Sequence, residues 1–368
     1  MINLNSRQRI LAAFYLEEPD VVPVSTYMSP YWLENKWVDE ETFWHFAKKS
    51  DAIFRVSVGI KISRDQNKVR VIDKTWIEGD RRIMLHRIET PNGVLQSISE
   101  KVGYSSRTVE GLLKTEKDIE IWFSISDHLY GPVEIDPEPF FFWDKKLGNN
   151  GLAVCSISDP IGYVWHLFSI KDFLKYCIMK MHIIEEMLKI ILEWELTVLS
   201  EILEKKVTRF WISGPEYVTP TFISPKYFPK FVTKYDRELV KLIHQYDGIA
   251  YMHCHGRVAN IIQEFPKIGI DVLDPLDPPP QGDANLAEVK RQIGDKICLV
   301  GNIDSNNVMV QGNSETVTKA VKKCIEEAAY GGGYVLQPTS GSIFDTPLEN
   351  IEALIKAGRK YGKYTRII

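Results

Sequence analysis

The segment Tyr251-Met252-His253-Cys254-His255-Gly256-Arg257 gathers two imidazoles and a thiol within three positions. On a β-strand, residues i and i+2 share a face, so His253 and His255 point together while Cys254 points away. Two imidazoles at a strand end begin a metal site that a carboxylate from a neighbouring strand completes. Glu216 follows the preceding strand and Asp274 the next one, so both are candidates for that carboxylate. A plainer reading packs His253 at the strand end and lets His255 cap a turn. Asp274 opens the stiff run Asp274-Pro275-Leu276-Asp277-Pro278-Pro279-Pro280, where it serves as ligand, base or turn cap. Asn302 and Asp304 end the following strand; both suit polar substrate groups, although Asp304 reads more simply as a cap. Tyr163, in Asp159-Pro160-Ile161-Gly162-Tyr163, either donates a hydrogen bond into the site or packs.

These residues need elements to hold them. Ser6 to Tyr15 reads as a helix with Ser6 as N-cap and Ile10, Leu11 and Phe14 as its apolar stripe. Val21–Tyr27 and Ala52–Val58 read as strands. Residues 68–108 alternate apolar and polar around Gly79-Asp80 and Pro91-Asn92-Gly93, which predicts antiparallel hairpins outside the main sheet. Pro137 to Trp143 reads as a loop. From residue 151 strands and helices alternate: Leu152–Ile157, Arg209–Ser213, Ile249–His253, Asp271–Asp274, Ile297–Gly301 and Tyr334–Gln337 each precede a helical stretch. That alternation implies parallel pairing. With the two early strands it predicts an α/β chain forming a (β/α)8 TIM barrel, a doubly wound sheet being the other arrangement. The expectation is one domain over residues 1–368, with an N-terminal helix and the hairpins of 68–108 as an excursion. Chemistry on such a barrel sits beyond the strand C-termini, where His253, Asp274, Asn302 and Ser340 fall. Gly331-Gly332-Gly333 lies before a strand and reads as a helix end and turn, a poor phosphate cradle.

Composition narrows the function. The chain has 45 basic and 49 acidic residues, a net charge of −4 that gives no field to attract nucleic acid. The most apolar stretch, Met179 to Leu203, carries Lys180, Glu185, Glu186, Lys189, Glu193 and Glu195, which excludes a membrane span. The N-terminus shows no signal-peptide run, so a soluble, cytoplasmic protein is expected. Five cysteines without a CxxC pair argue against a disulfide framework.

Several longer stretches resemble a known family. SRQRILAAF…EEPDVVPV (Ser6 to Val24), ISPKYF (Ile223 to Phe228), HCHG, DPLDPPPQGDANLAEVKRQIGDKICLVGNID (Asp274 to Asp304) and GGGYVLQPTSGSIFDTPLENIEALIKAGRKYG (Gly331 to Gly362) are similar to the uroporphyrinogen decarboxylase superfamily. The resemblance implies a (β/α)8 barrel and one of two chemistries. True uroporphyrinogen decarboxylases carry an early arginine-rich motif for substrate carboxylates. Here Thr26 to Lys36 contains no arginine, which argues against that substrate. The other branch holds zinc-dependent methyltransferases that work with methylated corrinoid proteins, including methylcobamide:coenzyme M enzymes. Their His-x-Cys-Gly motif and later cysteine align with His253, His255 and Ser340, so both thiolates are replaced.

The resulting expectation is a metal-dependent methyltransferase. Zn²⁺, or another divalent ion such as Mn²⁺ or Fe²⁺, would be held by His253, His255 and Glu216, with Cys254 as an alternative ligand. Asp274 would orient or act as base, and Tyr163, Asn302 and Ser340 would line the pocket. The methyl group would move between a corrinoid on a partner protein and a small acceptor such as a thiol. The reading leaves room for a homodimer. The alternatives are a metal-free lyase acting on a carboxylated substrate, and a non-catalytic corrinoid or tetrapyrrole binder.

Overall fold

A computed structural model describes residues 3–102, 105–340 and 345–364. Its strands are β1 (Ala52–Val56), β2 (Gly59–Ile62), β3 (Arg70–Glu78), β4 (Arg81–Thr90), β5 (Gly93–Val102), β6 (Ser105–Glu110), β7 (Val133–Asp136), β8 (Gly151–Ser158), β9 (Arg209–Ser213), β10 (Ile249–Cys254), β11 (Val272–Pro275), β12 (Cys298–Ile303) and β13 (Tyr334–Pro338). Seven of them form one parallel sheet in the order β1-β8-β9-β10-β11-β12-β13. The segment around Val24 closes it. Leu336 N–H donates to Pro23 O and Ser25 N–H to Leu336 O, both at 2.9 Å, while Asp51 N–H reaches Val24 O at 2.7 Å. The barrel is therefore complete, although its first staves are joined over only a few residues. The hairpins form a separate antiparallel sheet, β3-β4-β5-β6, that runs from Arg70 to Glu110 and stands outside the barrel.

Alternation along the strands sorts the core into two layers. Ile53, Leu152, Val154, Ile249, Tyr251, Val272, Cys298, Val300 and Val335 cluster inside the barrel with Ile10, Ala13 and Phe14. The last three belong to the first helix, Ser6–Phe14, which plugs the end where the strands begin. The opposite parity, including Cys155, Ala250, Met252, Cys254, Leu273 and Leu299, packs against the surrounding helices.

Two local expectations are corrected. Asn5 rather than Ser6 caps the first helix, because Asn5 and Gln8 exchange side-chain and backbone bonds in a capping box. The tract read as a loop at 137–143 is helical over Glu138–Leu147, with Phe140, Trp143 and Leu147 buried at helical spacing. The three glycines behave as expected: all have positive φ, and a Cβ at Gly332 would lie 2.5 Å from the Glu17 backbone.

Asp51 locks the closure. It is fully buried, accepts from Arg9 at 2.6 Å and from Val24 N–H at 2.8 Å, and lies 2.6 Å from Arg359. One carboxylate thus joins the plug helix, the closing segment and the last helix, Leu348–Tyr361. Asp51→Ala would leave Arg9 without its buried partner and should destabilise the fold by about 3–5 kcal/mol, read from urea unfolding.

Candidate active site at the carboxyl ends of the strands

The parallel register sets His253 beside Asp274, residue for residue, on β10 and β11. His253 shares the inward parity of Ile249 and Tyr251, and its Nδ1 lies 3.0 Å from Asp274 Oδ1. Asp274 is fully buried, yet four side chains reach it. Besides His253 these are Arg55 of β1 at 3.2 Å, Trp211 Nε1 of β9 at 3.3 Å and Gln337 Nε2 of β13 at 3.5 Å. The Arg55 guanidinium is itself sandwiched, 3.5 Å from the Tyr27 ring centre and 4.4 Å from that of Trp211. Burial pushes the Asp274 carboxyl up, but His253 and Arg55 more than offset it, and it stays below the ordinary carboxylate range. An ionised carboxylate only accepts, so His253 Nδ1 carries the proton and Nε2 the lone pair.

His255 repeats the arrangement one step outward. Its Nδ1 lies 2.8 Å from Asp277 Oδ2, which also accepts Gly256 N–H at 2.8 Å. Gly256 has φ of 89°, and a Cβ there would meet Thr221 Oγ1 at 2.4 Å, so the turn after His255 requires glycine. The two imidazole rings stand 4.4 Å apart and perpendicular. Burial lowers His253, despite Asp274. For His255 burial is outweighed by the bond and charge of Asp277, so it is raised. Glu216, in the turn Pro215–Val218 after β9, binds Gly214 N–H through Oε2 at 2.9 Å, and its charge favours the protonated form of both imidazoles.

The outer pair and Glu216 border a cavity of about 390 Å³ that His255, Glu216, Asp277, Tyr217, Phe222 and Ser340 line. Tyr217 stacks on Trp165 at 4.4 Å and forms an aromatic wall. Ser340 is pinned by its backbone, its N–H donating to Ser305 Oγ at 2.7 Å; residues 341–344, which follow it, lie outside the described residues.

The other expected residues, apart from Asp304 in the lining of this cavity, lie elsewhere. Asn302 is committed to the fold, donating to Leu276 O at 3.0 Å and accepting from the Cys324 thiol at 3.5 Å. Tyr163 sits in the helix Pro160–His166, which Asp159 caps, edge-on to Trp194 and lining a different cavity. Cys254 packs among the outer-layer residues, and burial, followed by the charge of Glu216, pushes its thiol well above the usual range. Asp304 caps the segment Ser305–Val310. Among the described residues, no three His, Cys, Asp or Glu side chains stand together as a metal-binding group. The donor chemistry nevertheless suits a divalent ion. Two imidazoles with carboxylate-anchored Nδ1 atoms leave both Nε2 atoms free, and Glu216 offers an oxygen whose present partner is a backbone amide. Arg55, Trp211, Asp277 and Gln337 were not singled out from sequence. The available signals were one cation in the apolar strand AIFRV and a second aspartate in DPLDPPP.

Residues 156–361 match the family described as uroporphyrinogen decarboxylase (URO-D). The chain belongs to that family. Among curated URO-D relatives, the methylcobamide:CoM methyltransferase MtaA of Methanosarcina barkeri is 30% identical over 217 residues, 59% of this chain and 60% of that protein. A uroporphyrinogen decarboxylase of Trichodesmium erythraeum is 23% identical over 139 residues, 38% of this chain and 37% of its own. The chain therefore matches about three-fifths of the length of the methyltransferase relatives. A solved methyltransferase from Methanosarcina mazei is similar in fold, at TM-score 0.62 and 18% identity, over 97% of this chain and 99% of that one.

The opposite shifts of the two imidazoles give a pH signature. Side-chain ¹⁵N NMR of metal-free protein should show His253 titrating below, and His255 above, the ordinary imidazole value of 6.5. Asp277→Asn should lower the His255 midpoint and leave His253 neutral near pH 6.5.

Proposed function

We propose that this chain is a metal-dependent methyltransferase that moves a methyl group from a corrinoid on a partner protein to a small thiol acceptor. The carrying observation is the pair His253–Asp274 and His255–Asp277, whose rings stand 4.4 Å apart with both Nδ1 atoms anchored, the outer ring lining the cavity and the inner one buried beside it. The identity to MtaA supports the reaction class. His253 and His255, with Glu216 as third donor, would hold Zn²⁺ or a harder divalent ion. When bound, the ion lowers the pKa of an acceptor thiol so that it reacts as the anion.

The chain's own residues prepare the remaining steps. Asp274 is too committed and too buried to act as a base, so it fixes the His253 tautomer and ring plane. Glu216, through the oxygen not given to the ion, would take the thiol proton. Tyr217 and Phe222 exclude water from the sulfur. A corrinoid presented at this mouth would supply the methyl group, and the Co–C electron pair would stay with it as the acceptor sulfur took the carbon. No lysine or arginine stands among the described residues lining the cavity, which disfavours a polycarboxylate substrate and the decarboxylase alternative.

The test combines metal analysis with thiol-dependent demethylation of methylcobalamin. His253→Ala should lower activity by more than about a hundredfold together with metal content, since even an outer partner of a ligand is worth about 10–100-fold. Cys254→Ser should retain most activity and metal while losing about 1–3 kcal/mol of stability. Metal-free protein that demethylates at the full rate, or a Cys254→Ser variant that alone loses its metal, would refute the assignment.

A further inference from the structure

A second cavity, about 270 Å³, is lined by Ser156 and Ser158 of β8 and by Glu195 and Leu199 of the long helix Met181–Glu204. It shares no lining residue with the mouth cavity. Tyr163 and Trp194 supply aromatic walls, their ring centres 5.6 Å apart and their planes at 86°. Glu195 is 6% exposed, and its Oε2 has no hydrogen-bond partner. Trp194 Nε1 is equally unpartnered. Asp159 and Asp236, both fully buried, share a side-chain hydrogen bond outside the lining, and Asp159 is near enough for its charge to act on Glu195. No lysine, arginine or histidine lines the cavity among the described residues.

A buried polar group without a partner costs about 1–3 kcal/mol in proteins, so this carboxyl on an otherwise apolar helix face calls for an occupant. A cationic occupant matches it best, because Glu195 is the one charged group in the lining and no basic side chain meets it among the described residues. A bare divalent ion fits poorly: it wants about six or more oxygen ligands, and Glu195 is the only carboxylate in the lining. Aromatic faces beside a single carboxylate suit an organic cation instead. We propose that this cavity binds a small alkylammonium, with Glu195 as counter-charge and Trp194 and Tyr163 as its walls. The site stands independently of the methyl-transfer reading.

Burial, followed by the charge of Asp159, holds the Glu195 carboxyl well above the usual range. The cation therefore binds against a proton, and the affinity is modest.

The test is calorimetric titration of the full chain with choline and with its neutral carbon isostere, 3,3-dimethylbutan-1-ol. Choline should bind saturably at one site, and the isostere about tenfold or more weaker, because only the charged head gains the cation–π and carboxylate interactions. Glu195→Gln should weaken choline to the level of the isostere. Leu199→Trp fills the cavity without touching the charge and should abolish binding of both, with thermal melting reporting whether each variant folds. Absence of saturable choline binding, equal binding of the isostere, an unaffected Glu195→Gln variant or displacement of choline by Mg²⁺ would each overturn the proposal.

Discussion

A single ionised carboxylate inside the barrel, Asp274, is the constraint on which the site depends. Removing a charge from water costs several kcal/mol, and the cost is offset only when every lone pair finds a partner. The partners of Asp274 come from β1, β9, β10 and β13, while the residue itself lies on β11. No open fragment of the sheet supplies them all. Closure of the barrel and satisfaction of this charge are therefore one event, and the orientation of His253 follows from it.

The same physics explains the layering of the mouth. A buried carboxylate accepts and cannot donate, so each imidazole that meets one must present its other nitrogen elsewhere. His253 and Asp274 do this inside the barrel rim, and His255 and Asp277 repeat it at the half-exposed edge. Burial dominates for the inner ring and Asp277 for the outer one, so two histidines two residues apart acquire opposite proton affinities. Arg55 holds the inner carboxylate charged through a guanidinium immobilised between two aromatic rings. A cation placed there stabilises the site's anion instead of gripping a substrate.

Periodicity made much of this readable. Alternating strands and helices after residue 151 announced the parallel barrel, and the turn signals around Gly79 and Asn92 announced the separate antiparallel sheet. The i, i+2 spacing of His253 and His255 is a property of the strand alone. Contacts between strands were less accessible, because register is set by packing. Arg55 looks like a lone polar interruption of AIFRV until β1 is seen across the barrel from β11. Asn302 and Tyr163 have the right chemistry for a mouth, but their side chains serve Leu276 with Cys324, and Trp194, respectively. The aromatic tract at 138–147 was misread because its apolar residues are dense enough to hide their helical spacing.

The most direct test of the account is an anomalous-diffraction experiment on crystals loaded with Zn²⁺ and measured across the metal edge. The account predicts one strong peak within about 2.0–2.1 Å of both His253 Nε2 and His255 Nε2, with Asp274 and Asp277 still on the Nδ1 atoms. A peak on Cys254, or none at the imidazole pair in protein that still transfers methyl groups, would contradict it.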